Sequence, residues 1–233
     1  MFEKIQNEKV YLKIAKQIFK LIKNDKLKSR EKLPSERTLC KEFGASRSSV
    51  REAIVALEVE GIIDCKRGKG NFVKSNINLN SNKRFFEEIA EEEGPFDLLE
   101  ARRIIEPEIA LLAIKKATKK DINSLKEILD KMGKSINDFP KTVILGIDFH
   151  IRIAKATQNE TIFKIFSFIT KELQDKIWLN FRKKSWETSG YSKKSYQEHI
   201  SIFNAIKNKE EDVIRKIVVE HLDNLEKEFI KDQ

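Results

Sequence analysis

The chain carries three histidines, His150, His199 and His221, among its 233 residues. Neutral imidazole is a common ligand for zinc and similar divalent metals. The spacings of 49 and then 22 residues put each histidine on a different expected helix. Three imidazoles converging inside a helical bundle would make a metal site. A single histidine would instead be read as a hydrogen-bonded core or surface residue, a reading harder to sustain for all three together. Arg102 is a candidate for holding a small carboxylate, because its planar fork suits bidentate pairing. Glu106 lies four residues on and offers a competing intrahelical ion pair. There is no HExxH, and no histidine motif supplies a general base. A three-histidine hydrolase is therefore the weakest reading, and no catalytic residue is assigned.

A second constellation lies nearer the N-terminus. Arg47 and Arg51 are one helical turn apart and point the same way. Ser46, Ser48 and Ser49 add short donors at the start of the same helix, whose free N–H groups favour phosphate. Arginine suits bidentate contact with the major-groove edge of guanine. Arg37, on the preceding helix, can approach the DNA backbone or the adjacent groove. Lys66, Arg67 and Lys69 alternate with Gly68 and Gly70 in a basic turn that can come close to phosphates or enter a minor groove.

The elements that must position these residues follow from periodicity and punctuation. Tyr11, Ile14, Ala15, Ile18 and Ile22 form one stripe of a helix over 10–24. Ser35 caps a second helix that ends at Gly44, and Ser46 caps a third that ends at Gly61. Ile62, Ile63 and Cys65, then Phe72 and Val73, read as two short strands around the basic turn. This order is that of a winged helix-turn-helix over residues 1–75. Residues 76–82 are polar and Asn-rich and read as a linker. Residues 83–233 read as an all-α antiparallel bundle, with helices expected over 83–92, 97–117, 120–134, 140–157, 160–185, 193–208 and 210–230. Pro107 falls inside one of them and predicts a kink or break. The fold is thus mainly α. Phe163, Phe166, Phe168, Trp178 and Trp186 are read as core or dimer contacts.

The charge distribution agrees. Of a net +9, residues 1–75 hold +8 and the remaining residues only +1. A basic module on a near-neutral body points to a polyanion partner. No apolar run is long enough to span a membrane, and the first residues lack a secretory core. Cys40 and Cys65 show no CxxC spacing and are read as reduced thiols, so a cytoplasmic location is expected.

These residues also carry a family pattern. Leu33-Pro34-Ser35-Glu36-Arg37, Phe43-Gly44-Ala45-Ser46-Arg47, Val50-Arg51-Glu52-Ala53, Leu57-Glu58, Glu60-Gly61 and Gly68-Lys69-Gly70-Asn71-Phe72-Val73 resemble the GntR superfamily of bacterial regulators. Glu100-Ala101-Arg102-Arg103-Ile104-Ile105-Glu106-Pro107, Phe149-His150, Glu198-His199 and His221-Leu222 resemble the FCD ligand-binding domain of its FadR branch. Together the likenesses cover about residues 8–230. They imply a homodimeric, ligand-responsive transcription regulator, more usually a repressor released by its effector. They imply operator contacts at Arg37, Arg47, Arg51 and the wing tip, and a small carboxylate effector bound in the helical bundle. A divalent metal (zinc, nickel or manganese) at the histidines is implied too. The family's fourth ligand is an Asp one turn before the first histidine, where this chain has Gly146. Asp148 stands roughly 200° around the helix from His150 and should not substitute. Three imidazoles could still bind a metal, with water or an effector carboxylate completing the shell. The competing reading, a helical DNA-binding protein with no effector, predicts a collapsed apolar bundle centre without metal.

Overall fold

Two serines start the helices of the N-terminal unit. Ser35 accepts from the Thr38 N–H and opens one helix, and Ser46 accepts from the Ser49 N–H and opens the next. Gly44 sits between them at φ 61°, a left-handed position that costs glycine little. In the computed structural model the unit runs α1 (Val10–Lys23), α2 (Glu36–Phe43), α3 (Arg47–Val59), β1 (Ile63–Lys66) and β2 (Gly70–Val73). The structure describes residues 9–66, 68–75, 77, 94–171, 173, 178–179, 182–183 and 190–231. The expected helix 83–92, most of the expected linker and most of the 160–185 helix beyond Lys171 lie outside those residues.

The apolar stripe of α1 is buried from Tyr11 to Ile22, and the helix packs on α3, whose Val50, Ala53, Ile54 and Leu57 are fully buried. β1 and β2 pair antiparallel, with Ile63 opposite Val73 and Lys66 opposite Gly70. The segment before α2 adds a third edge to this hairpin. Arg30 donates to the Val73 carbonyl, Val73 to Glu31, and Leu33 to Asn71. That pairing ties the base of the wing to the entrance of α2.

The second compact unit spans Phe96–Lys231. Its described helices are α4 (Pro95–Lys116), α5 (Lys119–Lys134), α6 (Phe139–Ala156), α7 (Glu160–Lys171), α8 (Tyr191–Asn208) and α9 (Glu211–Lys231). Thr118 and Asp121 form a capping box at the start of α5, and Asp138 caps α6 just before Pro140. Loops of a few residues join α5 to α6, α6 to α7 and α8 to α9, so each pair packs as antiparallel neighbours. α4 is strapped antiparallel to α9 by Arg103 to Asp223 and Glu226, Glu108 to Arg215, and Lys115 to Glu211.

α4 runs through Pro107 as one helix instead of breaking. A helical proline leaves only one carbonyl without its N–H partner. Here Leu98 and Leu99 before it and Ile109, Ala110, Ala113 and Ile114 after it are all buried, so packing on both sides holds the helix together. The Arg102–Glu106 ion pair spans the same turn. Among the described residues no helix is long and apolar enough to cross a membrane.

Candidate nucleic-acid interface and metal centre

Arg37 and Arg47 are exposed, on α2 and at the first turn of α3. The Ser46 hydroxyl is engaged as a cap and also lies 2.8 Å from the Ser48 hydroxyl and 3.0 Å from that of Ser49. The three serines therefore form one cluster at the positive end of α3. Arg51 behaves differently from Arg47. It is buried, and its guanidinium forks onto Glu36 of α2, with Nη2 2.8 Å from Oε2 and Nε 3.3 Å from Oε1. The pair locks the angle between the two helices. On the wing, Gly68 and Gly70 both take positive φ (67° and 102°), and Lys69 is exposed between them. Arg67 lies outside the described residues. Lys66 lies over the Phe72 ring at 5.2 Å, so its stem braces the strand while its charge stays at the tip.

The three histidines come together in the bundle. His150 is on α6, His199 on α8 and His221 on α9, and all three are buried. One ring nitrogen from each lies within 4.8 Å of the other two. Each Nδ1 already faces an acceptor. His199 donates to the Ser195 carbonyl one turn back (2.7 Å), and His221 donates to Glu198 (2.9 Å). His150 Nδ1 stands 2.9 Å from Oε2 of Glu106, an ion-pair contact without a well-aligned hydrogen bond. With Nδ1 donating on His199 and His221, Nε2 of those two rings carries the lone pair. A metal-binding histidine is typically braced in this way by a carboxylate or carbonyl behind it. Burial disfavours the charged form of two of the rings: desolvation pushes His199 and His221 well below the ordinary imidazole value, and neighbouring imidazoles add to the effect. Three buried imidazoles with a ring nitrogen each within 4.8 Å of the others, two of them braced through Nδ1, fit a divalent metal of the zinc, nickel or manganese type.

The family models match both units. Residues 10–73 match the gntR family of bacterial regulatory proteins, and residues 97–224, more than half of the chain, match the FCD domain. The chain is a GntR-family transcription regulator. This GntR-family chain is 33% identical over 204 residues to the Uxu operon regulator of Haemophilus influenzae, covering 84% of this chain and 72% of that one. It is 31% identical over 213 residues to the HTH-type transcriptional regulator LutR of Bacillus subtilis, covering 88% and 94%. A solved structure of Lar, described as controlling expression of the Listeria monocytogenes agr system, matches with a TM-score of 0.52 at 17% identity. That match covers 99% of this chain and all of that one, and shows a shared fold. The family makes the protein a DNA-binding regulator and not an enzyme.

Around the histidines of this GntR-family regulator stand groups that sequence reasoning passed over. Glu106 is more than the i+4 partner of Arg102, because its other oxygen meets His150. Burial alone would raise Glu106; the Arg102 guanidinium and His150 outweigh it and hold the carboxyl below its usual range. Glu198 adjoins His199 in sequence, yet it supports His221 and also accepts from Asn224. Burial pushes its carboxyl up. For Glu198 the signal in the sequence was an acidic residue next to His199 on the same helix. Arg102 donates to Glu106 through Nε and lies 5.7 Å from the Trp178 ring. Among the described residues its terminal Nη groups have no hydrogen-bond partner. Arg182 is paired with the Tyr191 hydroxyl at 2.7 Å, and its charge helps to keep His199 and His221 unprotonated. Asp148 faces Arg152 at 3.4 Å.

Proposed function

We propose that the protein is a homodimeric repressor whose operator affinity falls when a small carboxylate binds in the FCD bundle, at a metal held by His150, His199 and His221. The observation that carries the reading is the convergence of three buried imidazoles, two of them braced through Nδ1. A collapsed apolar centre, as an effector-independent protein would have, does not require three buried imidazoles gathered within 4.8 Å of one another. The metal would act as a Lewis acid that anchors a carboxylate. Arg102 would pair with the ligand through the Nη groups that Glu106 leaves free, with Arg182 adding positive charge nearby.

On the DNA side, Arg37, Arg47, the Ser46–Ser48–Ser49 cluster and the wing at Gly68 and Lys69 are the proposed contacts, with Arg67 and Arg51 joining them. A double-stranded DNA partner puts the working location in the cytoplasm. Effector binding would shift DNA affinity only by its preference between two arrangements of the winged units.

The homodimer has its own support. α4 is apolar on two faces, as helices buried on both sides are. Its outer face joins α7 in an apolar groove lined by Ile104, Leu111, Leu112 and Ile165, with Ile104 69% exposed and Ile165 53%. Glu108 and Lys115 flank Leu111 and Leu112 on that face, two turns apart. A two-fold antiparallel approach of two copies of α4 centred on Leu111 and Leu112 sets each Glu108 against the other copy's Lys115, as an isologous contact requires.

The test is DNase footprinting on an operator fragment selected by the protein itself, with and without a panel of small carboxylates. Two protected half-sites, released by one carboxylate in a metal-dependent way, are expected. Protection of a single asymmetric half-site, indifferent to every carboxylate, would refute the reading.

A further inference from the structure

Successive residues of a strand face opposite sides of its sheet. In the wing, Leu33, Ile63, Asn71 and Val73 are buried on the inner side. Lys32, Phe72 and Asp64 lie in one row on the outer side, because Lys32 bridges to Phe72 and Phe72 pairs with Asp64. Lys66 and Gly70 form the next row toward the tip. Gly70 has no side chain, and the Lys32 stem lies across it. A Cβ built there would stand 2.7 Å from Cε of Lys32 and 3.4 Å from its Nζ. The Lys32 ammonium is thereby drawn tipward, 6.0 Å from the centroid of the Phe72 ring, and the Lys66 ammonium stands 5.2 Å from the same centroid. Lys66 has Asp64 at 3.8 Å. Among the described residues no carboxylate pairs with Lys32. Lys32, Lys66 and the exposed Lys69 thus outnumber Asp64 around one ring and one turn. Like charges held this close repel, and an anion from outside relieves the repulsion.

We infer that Lys32 is a further DNA contact of this regulator and that, with Lys66, it grips the phosphodiester backbone beside the wing tip. The segment that carries Lys32 precedes α2 and reaches the wing through its edge pairing with β2. A lysine ammonium is a compact point charge that suits a phosphate and reads no base. The Phe72 ring supports the apolar stems of both lysines while their charges stay in water. Less side-chain freedom is then lost when DNA arrives. The contact adds grip without changing which sequence is read. This inference rests on the DNA contacts proposed for the wing, and Lys69 is the reference that separates the two.

Affinity is read by fluorescence anisotropy over about 50–200 mM salt, on the selected operator fragment and on a duplex of scrambled sequence. Full-length wild type is compared with Lys32→Gln, Lys66→Gln and Lys69→Gln, and with Lys32→Arg, which keeps the charge. Lys20→Gln is the control, at an exposed position of α1 opposite its buried stripe. All these positions are exposed, so thermal midpoints should stay with that of the wild type. Each phosphate contact contributes about 0.9 to the slope of log affinity against log salt concentration. Lys32→Gln and Lys66→Gln should each lower the slope by about that amount and weaken both duplexes by the same factor. Lys32→Arg and Lys20→Gln should keep the wild-type slope. A wild-type slope for Lys32→Gln beside a reduced one for Lys69→Gln overturns the inference and leaves the wing-tip contact standing. Wild-type slopes for both overturn the inference and the proposed wing contact together. A slope reduced equally by Lys20→Gln reports net charge alone and overturns the assignment to Lys32. Weakening of the selected fragment alone puts Lys32 on a base edge and overturns the backbone contact.

Discussion

The Arg51 guanidinium of α3 and the Glu36 carboxylate of α2 form a two-bond fork, with both side chains less than a tenth exposed. Arg47, one turn earlier on the same helix, is exposed at its N-terminus. The two arginines therefore do different work in the free protein: one fixes the angle between helices, and the other is available to DNA.

Alanine at each position separates the two roles. Arg47→Ala should cost about 1–3 kcal/mol of operator binding if the arginine reads a base, and leave thermal stability within about 0.5 kcal/mol. Arg51→Ala should lose operator binding and also about 2–4 kcal/mol of winged-unit stability, because it strands the Glu36 carboxylate. Replacing Arg51 and Glu36 together by Met should recover most of the stability and none of the DNA binding. Anisotropy on a selected operator fragment, beside thermal unfolding, checks all three. An Arg51→Ala protein as stable as the wild type would remove the structural role.

The chamber predicts a pH dependence with a definite sign. Burial holds His199 and His221 well below the ordinary imidazole value, so the folded state does not take up their protons. In the unfolded chain they protonate near pH 6.5. Below that value the unfolded state binds more protons, so the stability of the metal-free FCD unit is full above about pH 6.5. It is lost on acidification, by up to roughly 1.4 kcal/mol per pH unit for each ring. Glu106, held low by Arg102 and His150 against its burial, adds a loss of the same sign below its ordinary value of 4.5. Glu198, raised by burial, offsets part of it. Urea unfolding of metal-free protein, followed by tryptophan emission, should show a lower midpoint at about pH 5.5 than at about pH 7.5. Equal midpoints would mean that the rings are not buried neutral.

Local features of this fold could be read from sequence, because caps act over three or four residues. Ser35, Ser46, Gly44 and Gly61 marked helix ends that the structure keeps, and the helix expected between Ser46 and Gly61 runs from Arg47 to Val59 with Ser46 as its cap. Where the structure adds something, the partner is distant or the tertiary context prevails. Glu36 and Arg51 are 15 residues apart, and the 30–33 segment meets β2 about 40 residues later. Pro107 obeys packing in place of the local breaking rule. Three histidines on three helices suggested convergence, but nothing local tells that Glu198 braces His221 and not its neighbour His199.

That brace makes a prediction of its own. Glu198→Gln keeps the size and one acceptor but removes the charge that fixes the His221 tautomer. Zinc affinity should fall by about 10–100-fold while the helical content of the unit is unchanged. Glu106→Gln should act in the same way through His150, with an added loss of stability because Arg102 is left buried without its counter-charge. Chelator competition and circular dichroism separate the two effects. Glu198→Gln with wild-type zinc affinity would show that the contact does not orient a ligand.

The dimer face can be tested by exchanging charges. Glu108 and Lys115 pair with Arg215 and Glu211 of their own chain, and both pairs are exposed, so those contacts contribute little to stability. If two copies of α4 cross antiparallel over Leu111 and Leu112, Glu108→Lys sets two lysines together on each side of the two-fold axis, and Lys115→Glu sets two glutamates together. Either single change should weaken dimerisation by about tenfold, since like charges oppose each other twice in a symmetric contact. The double exchange restores opposite charges across the axis and should recover most of the loss, although it repels Arg215 and Glu211 within each chain. Leu112→Arg, which puts a charge into the apolar centre, should give monomer at every accessible concentration. Sedimentation equilibrium reads all four proteins. If the double exchange is as weak as the worse single, the crossing is not antiparallel at this point. If Leu112→Arg remains fully dimeric, the contact lies on another face.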